Sequence, residues 1–383
     1  MIVAFFIGPP LFVLVELSPT AWAAALTITL LVNNPRLLLA SRSVVLSYLS
    51  LALLSLAALA ALSALWSQEP ARSLKASIQF AAFVLMGGAA AAQLALVSTR
   101  QRDRIWNALL TGAAAAIIAL AAIEIAAWAT EASTARVRSF HKTTFYGLCF
   151  ASILLFPSKD YLGIRRAMVL FFYAIPTLLL GRTSGVNIMI VMAVPLLFLT
   201  RKGLRSVIGA FCLVYVVAAL AAPFVVERVY QSVDGSKIAT LPQVSSYMAR
   251  LELWNDLAPR IRESVWLGHG ADTTRANTVT FGPMKYYDLP DIPSAHNMIF
   301  DIWFELGLAG IVVLLLAIVT ASLMTMRLQA GPILVTSIIF LGTIIEFSVD
   351  HRIWLSWVQG TLILTIAASV LASLRTTPNW SAK

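Results

Sequence analysis

His296-Asn297-Met298-Ile299-Phe300-Asp301-Ile302-Trp303-Phe304-Glu305 leads directly into Leu306-Gly307-Leu308-Ala309-Gly310-Ile311-Val312-Val313-Leu314-Leu315-Leu316-Ala317-Ile318-Val319. The second part carries no charge and continues apolar to about residue 326, the ~20 residues that cross a bilayer as a helix. The first part is amphipathic. Asn297, Asp301 and Glu305 recur every four residues, so a helix gathers them into one polar stripe. Ser294 is the expected N-cap, which puts His296 in the first helical turn. There the helix dipole disfavours the protonated ring, leaving the neutral imidazole that a general base needs. At about 1.5 Å per residue, His296 stands roughly 15 Å outward of Leu306, at or above the lipid headgroups. A histidine simply facing water fits the same position. Gly307 and Gly310 are small enough for close helix contact.

The rest of the chain extends this pattern. Of its 383 residues 59% are hydrophobic and 12% charged, whereas a soluble domain carries about 25% charged residues. The expected class is all-α: a polytopic membrane protein of about twelve transmembrane helices. They fall near 2–16, 18–33, 44–66, 76–98, 105–129, 143–157, 165–181, 184–200, 204–222, 296–326, 331–348 and 353–374. The N-terminal run lacks a basic leader segment and is read as a retained helix. One large insertion separates helices 9 and 10. The expected organisation is therefore residues 1–222 as helices 1–9, 223–295 as a partly helical periplasmic loop, and 296–383 as helices 10–12. In the loop, residues 245–258 have helical spacing, and Pro259 is expected to end that helix.

The formal net charge of +10 does not indicate nucleic acid, because the basic residues cluster in short loops. Fourteen Lys/Arg fall on one side, among them Arg100, Arg102, Arg104, Arg201, Lys202 and Arg205. Seven fall in the short loops opposite: Arg72, Lys75, Arg136, Arg138, Lys142, Arg182 and Arg352. The richer side is expected to be cytoplasmic, so the insertion faces outward. Cys149 and Cys212 both lie in apolar runs and read as small hydrophobes. Metal-ligand spacing, Walker loop and dinucleotide fingerprint are all missing from the sequence, and no cofactor is expected.

Three residues stand where a membrane protein has little structural need of them. Arg182 occupies the turn Gly181-Arg182-Thr183-Ser184-Gly185 between two apolar runs. A helix N-terminus beside a guanidinium suits an anion, although a snorkelling interfacial arginine fits as well. Arg250 lies in the insertion helix, four residues before Trp254. A stack between them is open, and so is a solvated arginine. With His296, these residues suit chemistry on an anionic, lipid-linked substrate. His351 and Arg352 on the same face read either as channel lining or as interfacial anchors. Glu124 and Glu346 lie in apolar runs, His269 reads as a turn residue, and Tyr286 and Tyr287 are candidates for stacking on sugars.

The order of these motifs carries a resemblance. Gly181-Arg182-Thr183-Ser184-Gly185 is followed by Arg250-x-x-x-Trp254, then Trp266-Leu267-Gly268-His269-Gly270, then His296-Asn297 with Gly307-Leu308-Ala309-Gly310. This resembles the O-antigen ligase and polymerase superfamily, the WaaL/Wzy-like membrane glycosyltransferases, over about residues 165–325. The resemblance implies transfer of glycan from an undecaprenyl diphosphate carrier to an acceptor hydroxyl, with inversion and without a metal. The place implied is the periplasmic face of a bacterial inner membrane. It implies that Arg182 and Arg250 hold the diphosphate and that His296 orients or deprotonates the acceptor. Trp254, Asn297, Asp301, His351 and Arg352 are the further expected substrate-binding residues. Expected partners are the lipid-linked donor, a lipid A–core or glycan acceptor, and membrane lipids, with no nucleic acid. A ligase is the first expectation and a polymerase of surface polysaccharide the alternative. Ligases often carry Leu at the fourth position after the loop arginine and Ser after the histidine; here these are Trp254 and Asn297. A protein-directed oligosaccharyltransferase ranks third. A flippase for lipid-linked sugar is the rival of another class, but it would call for an internal repeat that the sequence does not display.

Overall fold

The computed structural model describes residues 2–14, 21–22, 25, 47–129, 199–234, 245–275, 284–286, 295–349 and 352–376. Every regular element among them is helical. In chain order they are α1 (Ile2–Leu14), α2 (Tyr48–Leu62), α3 (Pro70–Leu96), α4 (Thr99–Ala129), α5 (Arg201–Asp234), α6 (Ser245–Glu263), α7 (Met298–Arg327), α8 (Ala330–Val349) and α9 (Ser356–Thr376). Short 3-10 turns lie at Ser63–Leu65 and Thr273–Arg275. Among the described residues, four segments are long and apolar enough to cross a membrane: Tyr48–Leu65, Pro70–Leu96, Arg201–Asp234 and Met298–Arg327. The helices expected at 143–157, 165–181 and 184–200 lie outside the described residues, as do Arg182, His351 and Tyr287.

The centre of the bundle is α7, which packs on α2, α5, α6 and α8, while α3 lies between α2 and α9. Trp303 is the largest fully buried side chain of this core. Leu306, Ile311, Leu253 and Leu257 are buried with it. Side chains such as Leu213, Val214, Val217 and Phe224 of α5 are exposed, as expected of a lipid-facing stripe.

Two prolines sit inside helices that they were expected to bound. The helix expected at 204–222 runs on through Pro223 to Asp234. Pro223 has no N–H for the carbonyl of Ala219, one turn back. Trp303 of α7 supplies the missing donor, its Nε1 lying 2.8 Å from Ala219 O. The proline's own carbonyl accepts from Arg262 Nη1 at 3.0 Å, tying α6 to α5. At 34 residues, α5 spans about 51 Å and so projects well beyond the ~30 Å hydrocarbon core. Likewise α6 does not stop at Pro259 but continues to Glu263. Pro259 is exposed, on the side where a freed carbonyl can meet water.

Helix α7 begins later than expected and breaks once. Asn297, not Ser294, is its N-cap, with Oδ1 accepting from Ile299 N at 2.8 Å and Phe300 N at 3.3 Å. His296 therefore stands just outside the helix rather than in its first turn. Gly307, expected as a packing glycine in a continuous helix, has φ 60 and ψ −156 and interrupts it. Only glycine adopts that backbone freely.

A candidate functional site at one end of the bundle

The break at Gly307 frees backbone groups on both sides, and the Trp266–Gly270 turn takes them up. His269 N donates to Phe304 O at 2.9 Å and Gly270 N to Glu305 O at 2.8 Å. In return Leu308 N donates to Val265 O at 2.7 Å and Ala309 N to Trp266 O at 3.2 Å. Gly268 and Gly307 are the close-approach points. A Cβ on Gly307 would fall 2.5 Å from the Trp266 carbonyl carbon; one on Gly268 would fall 2.5 Å from that of Glu305. His269 is part of this clasp: its ring stacks on Phe304 at 4.4 Å and its Nε2 lies 3.3 Å from Arg260 O. The sequence reading of His269 as a turn residue agrees with this.

The clasp carries the chain onward into a buried polar cluster. Glu305 is fully buried, and Thr274 Oγ1 donates to its Oε1 at 2.6 Å. Trp354 Nε1 donates to its Oε2 at 2.6 Å. Arg352 is only 4% exposed and donates through Nη1 to Asp272 Oδ1 at 3.1 Å. Burial excludes the interfacial-anchor reading of Arg352. Ser73 Oγ donates to Ala271 O at 2.8 Å, and Ala271 N donates to Ser63 Oγ at 2.9 Å. The ends of α2, α3, α7 and α9 and the insertion thus meet at one end of the bundle. Burial pushes the Asp272 carboxyl above the usual carboxylate range, against the pull of Arg352, Arg72 and Arg275.

His296 marks the rim of this cluster. Its φ is 50, and Asp272 has φ 58; they are the two non-glycine residues in left-handed backbone among those described. Such strain persists where the surroundings enforce it, commonly at functional sites. Three contacts hold the His296 turn. Ala295 N donates to Asp301 Oδ1 at 3.1 Å. Trp254 Nε1 donates to Ala295 O at 2.7 Å. The Trp254 ring stacks on Phe300 at 5.3 Å and 10°. Asp301 is 1% exposed, and its Oδ1 is committed to this turn. The stripe Asn297–Asp301–Glu305 therefore exists, but it faces inward, and all three residues are buried. Arg250 lies one turn before Trp254 on the same helical face, so the helix that buttresses the His296 turn also carries this arginine.

Sequence reasoning missed part of the site. A cavity of about 680 Å³ opens beside the cluster, its walls including Glu69, Arg72, Lys75, Asp272, Arg275 and Arg352. Glu305, Thr274 and Trp354 were not singled out as site residues either. One signal was available: Arg72, Lys75 and Arg352 are cations on the side that the positive-inside rule leaves poor in them. Tyr286, a stacking candidate in the sequence, uses its hydroxyl to donate to Asp234 Oδ1 at 2.7 Å. Glu252 accepts from the backbone N–H of Lys285 at 2.7 Å and of Tyr286 at 2.9 Å. Among the described residues, no group of three or more His, Cys, Asp or Glu is placed to hold a metal ion.

The fold and this end of the bundle define a helical membrane protein with a polar, cation-walled site built where the Trp266–Gly270 turn clasps a broken transmembrane helix. Residues 167–315 match the family model described as O-antigen ligase, and the match supports a kinship of this part of the chain with the O-antigen ligase and polymerase superfamily. The matched stretch takes in Arg182, Arg250, the Trp266–Gly270 turn, His296 and the Gly307 break. No curated protein matches the chain.

Proposed function

We propose that this chain is an O-antigen ligase-like glycosyltransferase, moving a glycan from undecaprenyl diphosphate to an acceptor hydroxyl on lipid A–core at the periplasmic face of the inner membrane. The observation that carries the proposal is the position of His296, set on a strained turn next to buried Asp301 inside the family-matched region. In the reaction the acceptor oxygen bonds to the anomeric carbon as the bond from that carbon to the diphosphate breaks. The electron pair leaves with the diphosphate, and the acceptor proton passes to His296. Asp301 and Asn297 act as positioning residues: one fixes the backbone before the histidine, the other caps the helix after it. Arg250 and Arg182 are assigned to the leaving diphosphate by resemblance, and preplaced guanidiniums suit charge that develops there. The implied reaction needs no metal and inverts the anomeric centre.

A polymerase extending a surface polysaccharide is the second reading, favoured by Asn297 after the histidine. That position weighs less than it first suggests. Its side chain caps α7, a task Ser and Asn perform about equally well. Product analysis separates the two: purified protein given lipid-linked glycan and lipid A–core yields glycan on lipid A–core if it is a ligase. Longer glycan still on the carrier identifies a polymerase. Translocation of intact carrier without any glycosidic product would point to a flippase and refute both.

A further inference from the structure

Beside the buried cluster, the cavity of about 680 Å³ has four cationic side chains in its walls and two carboxylates, Glu69 and Asp272. Asp272 is committed to Arg352 at 3.1 Å, so the balance that a ligand meets is positive. Lys75 and Arg275 are exposed at its mouth. Arg72 supplies an independent observation. Its Nη1 is shielded from solvent and has no acceptor among the described residues. A guanidinium N–H shielded from solvent without an acceptor is unfavourable, and such groups are rare unless a ligand completes them. The cations come from three separate stretches, the start of α3, the Thr273–Arg275 turn and the start of the Arg352–Leu355 link. Side chains converging from that distance in sequence form a pocket rather than a solvated helix face.

We propose that this cavity is a phosphate-binding subsite in which Arg72, Lys75 and Arg275 hold a phosphate or diphosphate group. Its size admits a phosphate together with a sugar ring or the first part of a lipid chain. Arg352 joins it to the buried cluster: it lines the cavity and donates to Asp272 Oδ1 at 3.1 Å. The source of the phosphate rests on the transferase reading, being either a phosphorylated acceptor sugar or the donor's diphosphate. The chemistry of the pocket does not depend on that reading.

The test is calorimetric titration of inorganic pyrophosphate into the full-length protein in detergent. Wild type is expected to bind saturably. The double variant Lys75→Gln/Arg275→Gln, whose two positions are exposed and keep the fold, is expected to bind about tenfold or more weakly, the loss of one charge-assisted hydrogen bond. Arg72→Gln should weaken binding at least as much. Arg262→Gln, which removes a cation paired with Glu227 on the outer surface, should bind as wild type does. Absence of saturable binding, or equal affinity in all four proteins, overturns the proposal. Farnesyl diphosphate and glucosamine 6-phosphate, titrated in the same way, identify the source by which of them loses affinity in the double variant; loss with either supports the subsite. If the purified protein forms no glycosidic product from lipid-linked glycan while the pocket variants still lose pyrophosphate, the transferase assignment fails and the subsite stands.

Discussion

Replacing Gly307 with alanine tests the architecture where its backbones approach most closely. Its φ of 60 and ψ of −156 lie in a region that L-residues avoid. The added Cβ would stand 2.5 Å from Trp266 C and 2.6 Å from Leu267 N, both backbone atoms with no rotamer to change. Strain of about 1–3 kcal/mol is the first cost. Relief by separating the two segments loses the bonds from Leu308 N and Ala309 N, about 1 kcal/mol each. The sum is roughly 3–5 kcal/mol, concentrated in the clasp. Gly209→Ala is the control, because a methyl group added there on α5 would meet nothing within 4 Å, and alanine inside a helix is favoured over glycine by about 0.5–1 kcal/mol. Thermal unfolding in detergent, followed by tryptophan fluorescence, should show Gly307→Ala melting several degrees lower and Gly209→Ala unchanged or higher. Equal melting temperatures for Gly307→Ala and wild type would refute the clasp.

Trp303→Phe removes the donor that serves Ala219 O beside Pro223 and should cost about 1–3 kcal/mol; adding Pro223→Ala restores an N–H and should recover part of it, and chemical denaturation of the double variant checks the recovery. Trp354→Phe leaves Glu305 Oε2 without its donor in a buried site, a loss of similar size by the same measurement. The folded pKa of Asp272 is raised above its unfolded value. Its contribution is therefore fully present below about pH 4 and is lost as pH rises through the folded value. Asp272→Asn, which tolerates the left-handed backbone, should flatten that part of the stability–pH curve; an unchanged curve contradicts the assignment.

Much of this organisation is legible in the sequence, because it is written in local patterns. Charge depletion and long apolar runs announce membrane helices. The four-residue spacing of Asn297, Asp301 and Glu305 announces a single stripe. The order of the Arg250, Trp266–Gly270, His296 and Gly307–Gly310 motifs carries the resemblance that the family match over residues 167–315 supports. What local pattern could not supply was the partner of each irregularity. Pro223 looks like a helix end unless Trp303, eighty residues later in the chain, is known to satisfy the carbonyl it frees. Gly307 looks like a packing glycine unless Val265 and Trp266 are known to receive the N–H groups beyond the break. Ser294 and Asn297 are both good caps by chemistry, and only the backbone decides between them. Arg72 reads in the sequence as one loop charge, and only the folding of three chain segments around Arg352 makes it part of a pocket.

The central claim is that His296 takes the acceptor's proton in transfer from a lipid-linked diphosphate. Its most direct test is single-turnover transfer by purified protein reconstituted with lipid-linked glycan and lipid A–core, comparing wild type with His296→Asn. Asparagine keeps the left-handed turn and removes the base, so the account predicts an unchanged melting temperature and a transfer rate lower by about 10²–10⁴-fold. Transfer at the wild-type rate by a folded His296→Asn protein would contradict it.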